Sequence, residues 1–473
     1  MKPLLASFAA LLLAACATVG PEYHGPHSAL PDAPAATGRF ASQAHGPFVD
    51  QPVPGQWWKL YDDPRLDALI TRALAANTDL RVAAANIARA RAVLAETQTS
   101  RQVQTGISGG VSLDRPSGTG EALPGDLGYD AGITASKEID LVGRLRRLIE
   151  AAGADADAAQ AAYDLSRITV AADVAGAYAQ ICTAGYQRAA AQRSLDLQEQ
   201  SLALTNRLIA GGRGTALDRS QAEALVEQLR AAIPGFEAAR QNALFRLAVL
   251  LGRPPAEYPR DLANCDTPPR LSAPIPVGNG NTLIRRRPDI REAERNVAAA
   301  SARIGVAIAD LYPRISLGAG LGSTAPLSSL GSGSSFSFSL GPLVSWTFPN
   351  RNAVRSRIVQ AQASEQAAVA QFDGTVLSAL QQVESAMTSY ARELDRNASL
   401  RRARDHAATA ADQARRLYRF GRANAFTVLD AERTLASAEA ALAASDALLP
   451  GYQISLFLAL GGGWEGPAPA NPA

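Results

Sequence analysis

Ser108 stands in Gly106-Ile107-Ser108-Gly109-Gly110, the Gly-x-Ser-x-Gly spacing that in hydrolases exposes a nucleophilic serine on a tight strand-to-helix turn. That chemistry needs the elbow and a histidine base. Here the stretch continues as strand-like alternation, and the only histidine downstream, His406, lies in a helical run. His24, His27 and His45 fall in a segment rich in Pro and Gly, without helical spacing or a nearby carboxylate cluster, so they do not form a metal-ligand set. No catalytic residue, metal or cofactor is expected, and the chain does not read as an enzyme.

The cysteine with chemistry to do is Cys16. It follows Leu13-Ala14-Ala15 at the end of an apolar stretch, Leu4 to Ala15, which begins after Lys2 and is too short to span a bilayer. This resembles a bacterial lipoprotein signal, in which the cysteine is acylated and becomes the first mature residue. Ala17 rather than Asp follows it, which in such lipoproteins implies the outer membrane. Cys182 and Cys265 would then face an oxidising compartment, where a disulfide is allowed. Spacing does not say whether they meet, and inert buried thiols are the expectation, since neither has the electropositive neighbours of a reactive thiol.

The elements that would position anything else come in two similar halves. Gly212-Arg213-Gly214-Thr215-Ala216-Leu217-Asp218 through Glu223 is echoed by Gly421-Arg422-Ala423 through Glu432 at a constant shift of 209 residues. Each echo sits between long helical stretches. The first half reads as a helix from Pro64 to about Ser100, a hairpin, a long helix from about Leu141 to Ala210, and a return helix from Ala216 to Leu251 with a kink expected at Pro234-Gly235. The second repeats the order, with helices at Pro288 to Leu311, Asn352 to Arg419 and onward to Leu460. The boundaries are a signal peptide (1–15), a poorly ordered tether (16–56), a first repeat (57–252), a Pro-rich linker (253–282), a second repeat (283–462) and a disordered tail (463–473).

Between the helices the period changes to two. Strands are expected at about 102–114, 128–140, 313–323 and 334–348, with Val103, Ile107, Val111, Ile133, Leu321 and Phe338 alternating with Ser and Gly. The pattern fits a soluble sandwich or a membrane strand, and the lipoprotein-like N-terminus favours the second. Four strands cannot close a barrel alone, so several chains must share one. The helix from Asn352 to Arg419 would reach roughly 100 Å if continuous. Val369, Val376, Val383 and Tyr390 recur in it every seven residues, as in a coiled coil. No later stretch reads as a transmembrane helix. With 47% hydrophobic residues and a net charge of +2, the chain can bury a large core and has no basic patch for nucleic acid.

Several motifs together resemble the TolC-like outer-membrane factors, specifically the NodT/OprM branch of efflux lipoproteins, across nearly the full length. They are Leu13-Ala14-Ala15-Cys16; Trp57-Trp58-Lys59-Leu60-Tyr61-Asp62-Asp63-Pro64 with Leu66 and Asn77; Ile139-Asp140-Leu141-Val142-Gly143-Arg144; Leu250-Leu251-Gly252-Arg253-Pro254; and Arg286-Arg287-Pro288-Asp289-Ile290-Arg291. The resemblance implies a mainly α protein with transmembrane β: a homotrimer whose twelve strands form one barrel, continued by a twelve-helix α-barrel. It implies lipidation at Cys16, a periplasmic adaptor, an inner-membrane pump of the resistance-nodulation-division class, and passive exit of small molecules. Gly212, Arg213 and Gly214 with Gly421, Arg422 and Ala423 would be the adaptor-docking tips. Phe426, Asp430 and Arg433 would close the pore, with Asp218 their first-half counterpart and Thr427 standing where other members carry a second aspartate. A type I protein-secretion duct and a non-conducting envelope-spanning lipoprotein are the alternatives.

Overall fold

The computed structural model describes residues 18–114, 126–271, 273–346, 348 and 351–462. Cys16, the signal peptide and the tail from 463 lie outside them. In chain order the main elements are β1 (Phe48–Val49), α1 (Pro64–Ala76), α2 (Thr78–Thr99), β2 (Gln104–Asp114), β3 (Asp126–Ile139), α3 (Arg144–Ala210) and α4 (Ala216–Leu250). There follow β4 (Ile275–Pro276), α5 (Gly280–Arg286), α6 (Pro288–Ala309), β5 (Arg314–Pro326), β6 (Phe336–Ser345), α7 (Arg351–Arg419) and α8 (Ala425–Ala459). The chain divides into two compact units, Met1–Ser28 with Ala85–Ala161 and Arg291–Gly374, and Ala29–Ala84 with Ala162–Ile290 and Thr375–Ala473.

The first unit is built on one antiparallel sheet in the order β2-β3-β5-β6. A turn of fixed chemistry converts β3 into α3. Arg144 donates to both carboxylate oxygens of Glu138 at 2.9 Å, and Asp140 accepts the Arg146 backbone N–H at 2.9 Å, satisfying one of the donors a helix start leaves open. The Ile139 to Arg144 motif is thus a strand-to-helix joint. Chain expected to be loose is held in this unit: the Tyr23 hydroxyl donates to Glu294 Oε1 at 3.0 Å, and buried Arg147 donates to the Val19 carbonyl at 3.1 Å.

The second unit holds the main core. Trp57 is fully buried and stacks on Phe457 at 4.8 Å between ring centroids. Asp63 caps α1 by accepting from the Arg65 N–H at 2.9 Å, and Asn77 caps α2 while donating to the Leu250 carbonyl at 3.1 Å. Arg287 is buried and reaches three partners: Asp289 through two nitrogens, the Ala459 carbonyl at 2.7 Å, and Gln382 at 2.9 Å. The motifs of the resemblance that fall among the described residues therefore hold backbone and core together. Along α7, Val376, Val383 and Tyr390 are buried, and Met387 with them, as the seven-residue spacing requires.

Two expectations change. Cys182 and Cys265 form a disulfide that ties the 253–282 segment to α3; spacing in sequence carries no record of which cysteines the fold brings together. The tether is not poorly ordered, because it has apolar side chains to bury: Phe40 and Val53 join Leu262 and Ile275 of the linker in the core, and β1 pairs in parallel with β4. The helix α4 continues through Pro234, at a solvent-exposed position where water can satisfy the carbonyl left without a partner. The helix α8 is long and apolar enough to cross a membrane by composition, yet half of its most apolar stretch is buried inside the protein, and Leu442, Ile454, Leu456 and Phe457 along the helix are buried.

Candidate functional site

Register decides what the sheet can do. Ile107, Ile133, Leu321 and Phe338 lie side by side across its four strands, and so do Ser108, Gly132, Gly322 and Ser337 in the adjacent row. Because side chains alternate, one face is a continuous apolar band and the other is mostly Ser, Thr and Gly, with Asp130 and Glu138 among them. Ile107 and Phe338 are each 85% exposed, which water would not favour over so wide a surface. The sheet ends in β2 on one edge and β6 on the other. Ser108 of the hydrolase-like motif lies within β2, with no elbow to present it.

At the C-terminal ends of α3 and α7, two turns repeat each other bond for bond. Arg213 N–H donates to the Leu208 carbonyl and Arg422 N–H to the Leu417 carbonyl, both at 2.8 Å; Gly212 and Gly421 donate to Ile209 and Tyr418, both at 2.9 Å. Each pair is a Schellman turn, and both glycines take φ 70°, a left-handed conformation that side chains resist. Gly214 and Ala423 follow in equivalent places. A Cβ on Gly421 would lie 3.8 Å from an Arg213 guanidinium nitrogen, so the two turns are neighbours.

The next residues cap the return helices. Thr215 and Asp218 form a capping box on α4, the Asp218 carboxylate accepting from the Thr215 N–H at 2.8 Å. Asn424 caps α8 by accepting from the Thr427 N–H, also at 2.8 Å. Thr427 is therefore the positional match of Asp218, and Asp218 is committed to its own helix start. Phe426, Asp430 and Arg433 recur at helical spacing on one face of α8 and are all exposed.

The opposite face of α8 carries a carboxylate that sequence reasoning missed. Glu432 is buried and accepts from Ser201 Oγ of α3 at 2.8 and 2.9 Å and from Arg415 Nε of α7 at 2.9 Å. These groups and Gln198 line a cleft of about 430 Å³, with Asp218 and Tyr418 beside them. Burial and the Asp218 charge push the Tyr418 phenol above its ordinary pKa, against a smaller opposing effect of Arg213. Glu223, the echo of Glu432, is exposed, so the missing signal was burial, which a repeat does not transmit.

A two-faced sheet joined to paired helical hairpins has counterparts. The family model described as outer membrane efflux protein matches residues 69–253 and 280–462. The chain belongs to that family. Among its relatives is the probable outer membrane lipoprotein SilC of Salmonella typhimurium, 30% identical over 96% of this chain and 97% of that protein. Outer membrane protein OprJ of Pseudomonas aeruginosa is 31% identical over 96% of this chain and 95% of its own. The solved structure of the outer-membrane channel OprN superposes with a TM-score of 0.86 at 35% identity, covering 94% of this chain and 99% of that one. This efflux protein has the TolC-like channel fold and is an outer-membrane component of an efflux pump. Members of the family are channels rather than enzymes.

Proposed function

We propose that three copies of this chain form the passive exit duct of a tripartite efflux system. A resistance-nodulation-division pump in the inner membrane and a periplasmic adaptor deliver small molecules to it. The observation that carries this reading is the four-stranded sheet with an apolar and a polar face and two edges left over: open edges are not tolerated in lipid, and three copies joined edge to edge remove them. Cys16 is the acylated residue, and residues 57–252 and 283–462 are the two repeats joined by 253–282.

The tips at Gly212 to Gly214 and Gly421 to Ala423 dock the adaptor. Phe426, Asp430 and Arg433, exposed on one face of α8, form the periplasmic gate, with Asp218 in a secondary place because its carboxylate serves a cap. Three symmetry-related copies of Asp430 around a constriction put like charges close together, so closure depends on Arg433 or cations to offset them. The test is single-channel conductance in planar bilayers. The native protein should show low conductance and Asp430→Ala a larger one; absence of any conductance in both would overturn the duct.

A further inference from the structure

A cleft of about 690 Å³ lies at the helix-joined end of the sheet, where Arg101, Lys137 and Arg146 meet Ile139, Leu141 and Leu317. We propose that it binds the headgroup phosphate of an anionic glycerophospholipid at the membrane surface. The proposal rests on the outer-membrane reading above.

Position is the first argument. Lys137 pairs with Leu317 in register and shares the sheet face of Ile133 and Leu321, so it stands at the end of the apolar band. At the same end, Trp346 and Phe348 follow β6, their rings 5.0 Å apart, with the Trp346 Nε1–H donating to the Leu311 carbonyl at 3.3 Å. Exposed aromatics there mark the level of the membrane–water interface. Thr18, two residues beyond the expected acylated cysteine, lines the same cleft.

Charge is the second argument. The carboxylates lining the cleft are already engaged: Glu138 holds Arg144, and Asp140 accepts the Arg146 N–H. Arg146 adds a contact to the Thr18 hydroxyl at 3.3 Å. Lys137 and Arg101 are exposed and have no ion-pair partner among the described residues. Cations above apolar side chains suit a ligand with a phosphodiester at one end and acyl chains at the other. A free anion would gain nothing from Leu317 or Ile139.

The test is native mass spectrometry of the full-length trimer titrated with phosphatidylglycerol or phosphatidylcholine, alongside flotation of the protein with liposomes. Phosphatidylglycerol should bind roughly tenfold more tightly. Arg101→Gln combined with Lys137→Gln should abolish that preference in a trimer that still assembles, and Lys137→Arg should keep it. Equal binding of the two lipids, or a preference that survives the double substitution, overturns the proposal. So does displacement of the lipid by inorganic phosphate, which would mean a simple anion site. A native protein that fails to float with liposomes would overturn the outer-membrane reading itself, whereas one that floats without lipid preference overturns only this inference.

Discussion

Arg287 and Asp430 are opposite kinds of charged residue. Arg287 is buried and its hydrogen bonds to Asp289, the Ala459 carbonyl and Gln382 tie α6, α7 and α8 together, which is a structural role. Arg287→Ala strands Asp289 and the Ala459 carbonyl, and should destabilise the fold by roughly 3–5 kcal/mol, read as a lowered unfolding temperature. Asp430 is exposed, and Asp430→Ala should leave that temperature unchanged while raising conductance or antibiotic leakage; an unaltered closed state would remove it from the gate. The phenols give a pH signature. Tyr61 is held well above its ordinary pKa by burial, with Tyr390 adding to the shift, and burial with the bond to Asp63 does the same for Tyr178. A raised folded pKa means the stabilisation is fully present below pH ~10, the unfolded value, and is lost as pH rises towards the folded one. Denaturation above that pH, followed by tyrosinate absorbance, should be cooperative, and gradual ionisation of all tyrosines without unfolding would contradict it.

At the scale of elements, the paired turns and the disulfide are the features to test. Gly421→Ala puts a Cβ on a left-handed residue at a cost of roughly 1–2 kcal/mol, and Gly212→Ala should cost about the same because the two turns are bonded alike. Faster proteolysis at each tip is the readout, and a large difference between the two would mean that neighbouring contacts, rather than the shared turn, set their stability. The Cys182–Cys265 bridge closes a sequence separation of 83, so Cys182→Ser with Cys265→Ser should cost roughly 2–4 kcal/mol under oxidising conditions and nothing under reducing ones. The helices themselves were legible, since α7 and its buried seven-residue stripe lie where alternation of period predicts them. The pairing of Cys182 with Cys265 was not legible, because the separation of two cysteines in sequence does not say which elements the fold brings together.

At the scale of the whole molecule, the apolar band makes the decisive prediction. Phe338→Lys places a charge in its middle row and should cost about 2–4 kcal/mol of membrane stability, measured as a reduced fraction of heat-resistant trimer in outer-membrane fractions. Ser337→Lys, on the other face of the same strand, should be tolerated in assembly, since that face is polar. Equal loss from both would refute the assignment of faces.

The sequence by itself determined the duplicated halves, the strand and helix periods, the family resemblance and the lipoprotein-like N-terminus, because each is written in local spacing of side chains. Only the tertiary structure decided that four strands align their apolar residues in common rows, that Cys182 meets Cys265, and that Phe40 and Val53 draw the supposed tether into the core. It also separated Glu432 from its repeat partner Glu223. Burial depends on which helices pack against a position, and the 209-residue echo copies the residue without copying its neighbours.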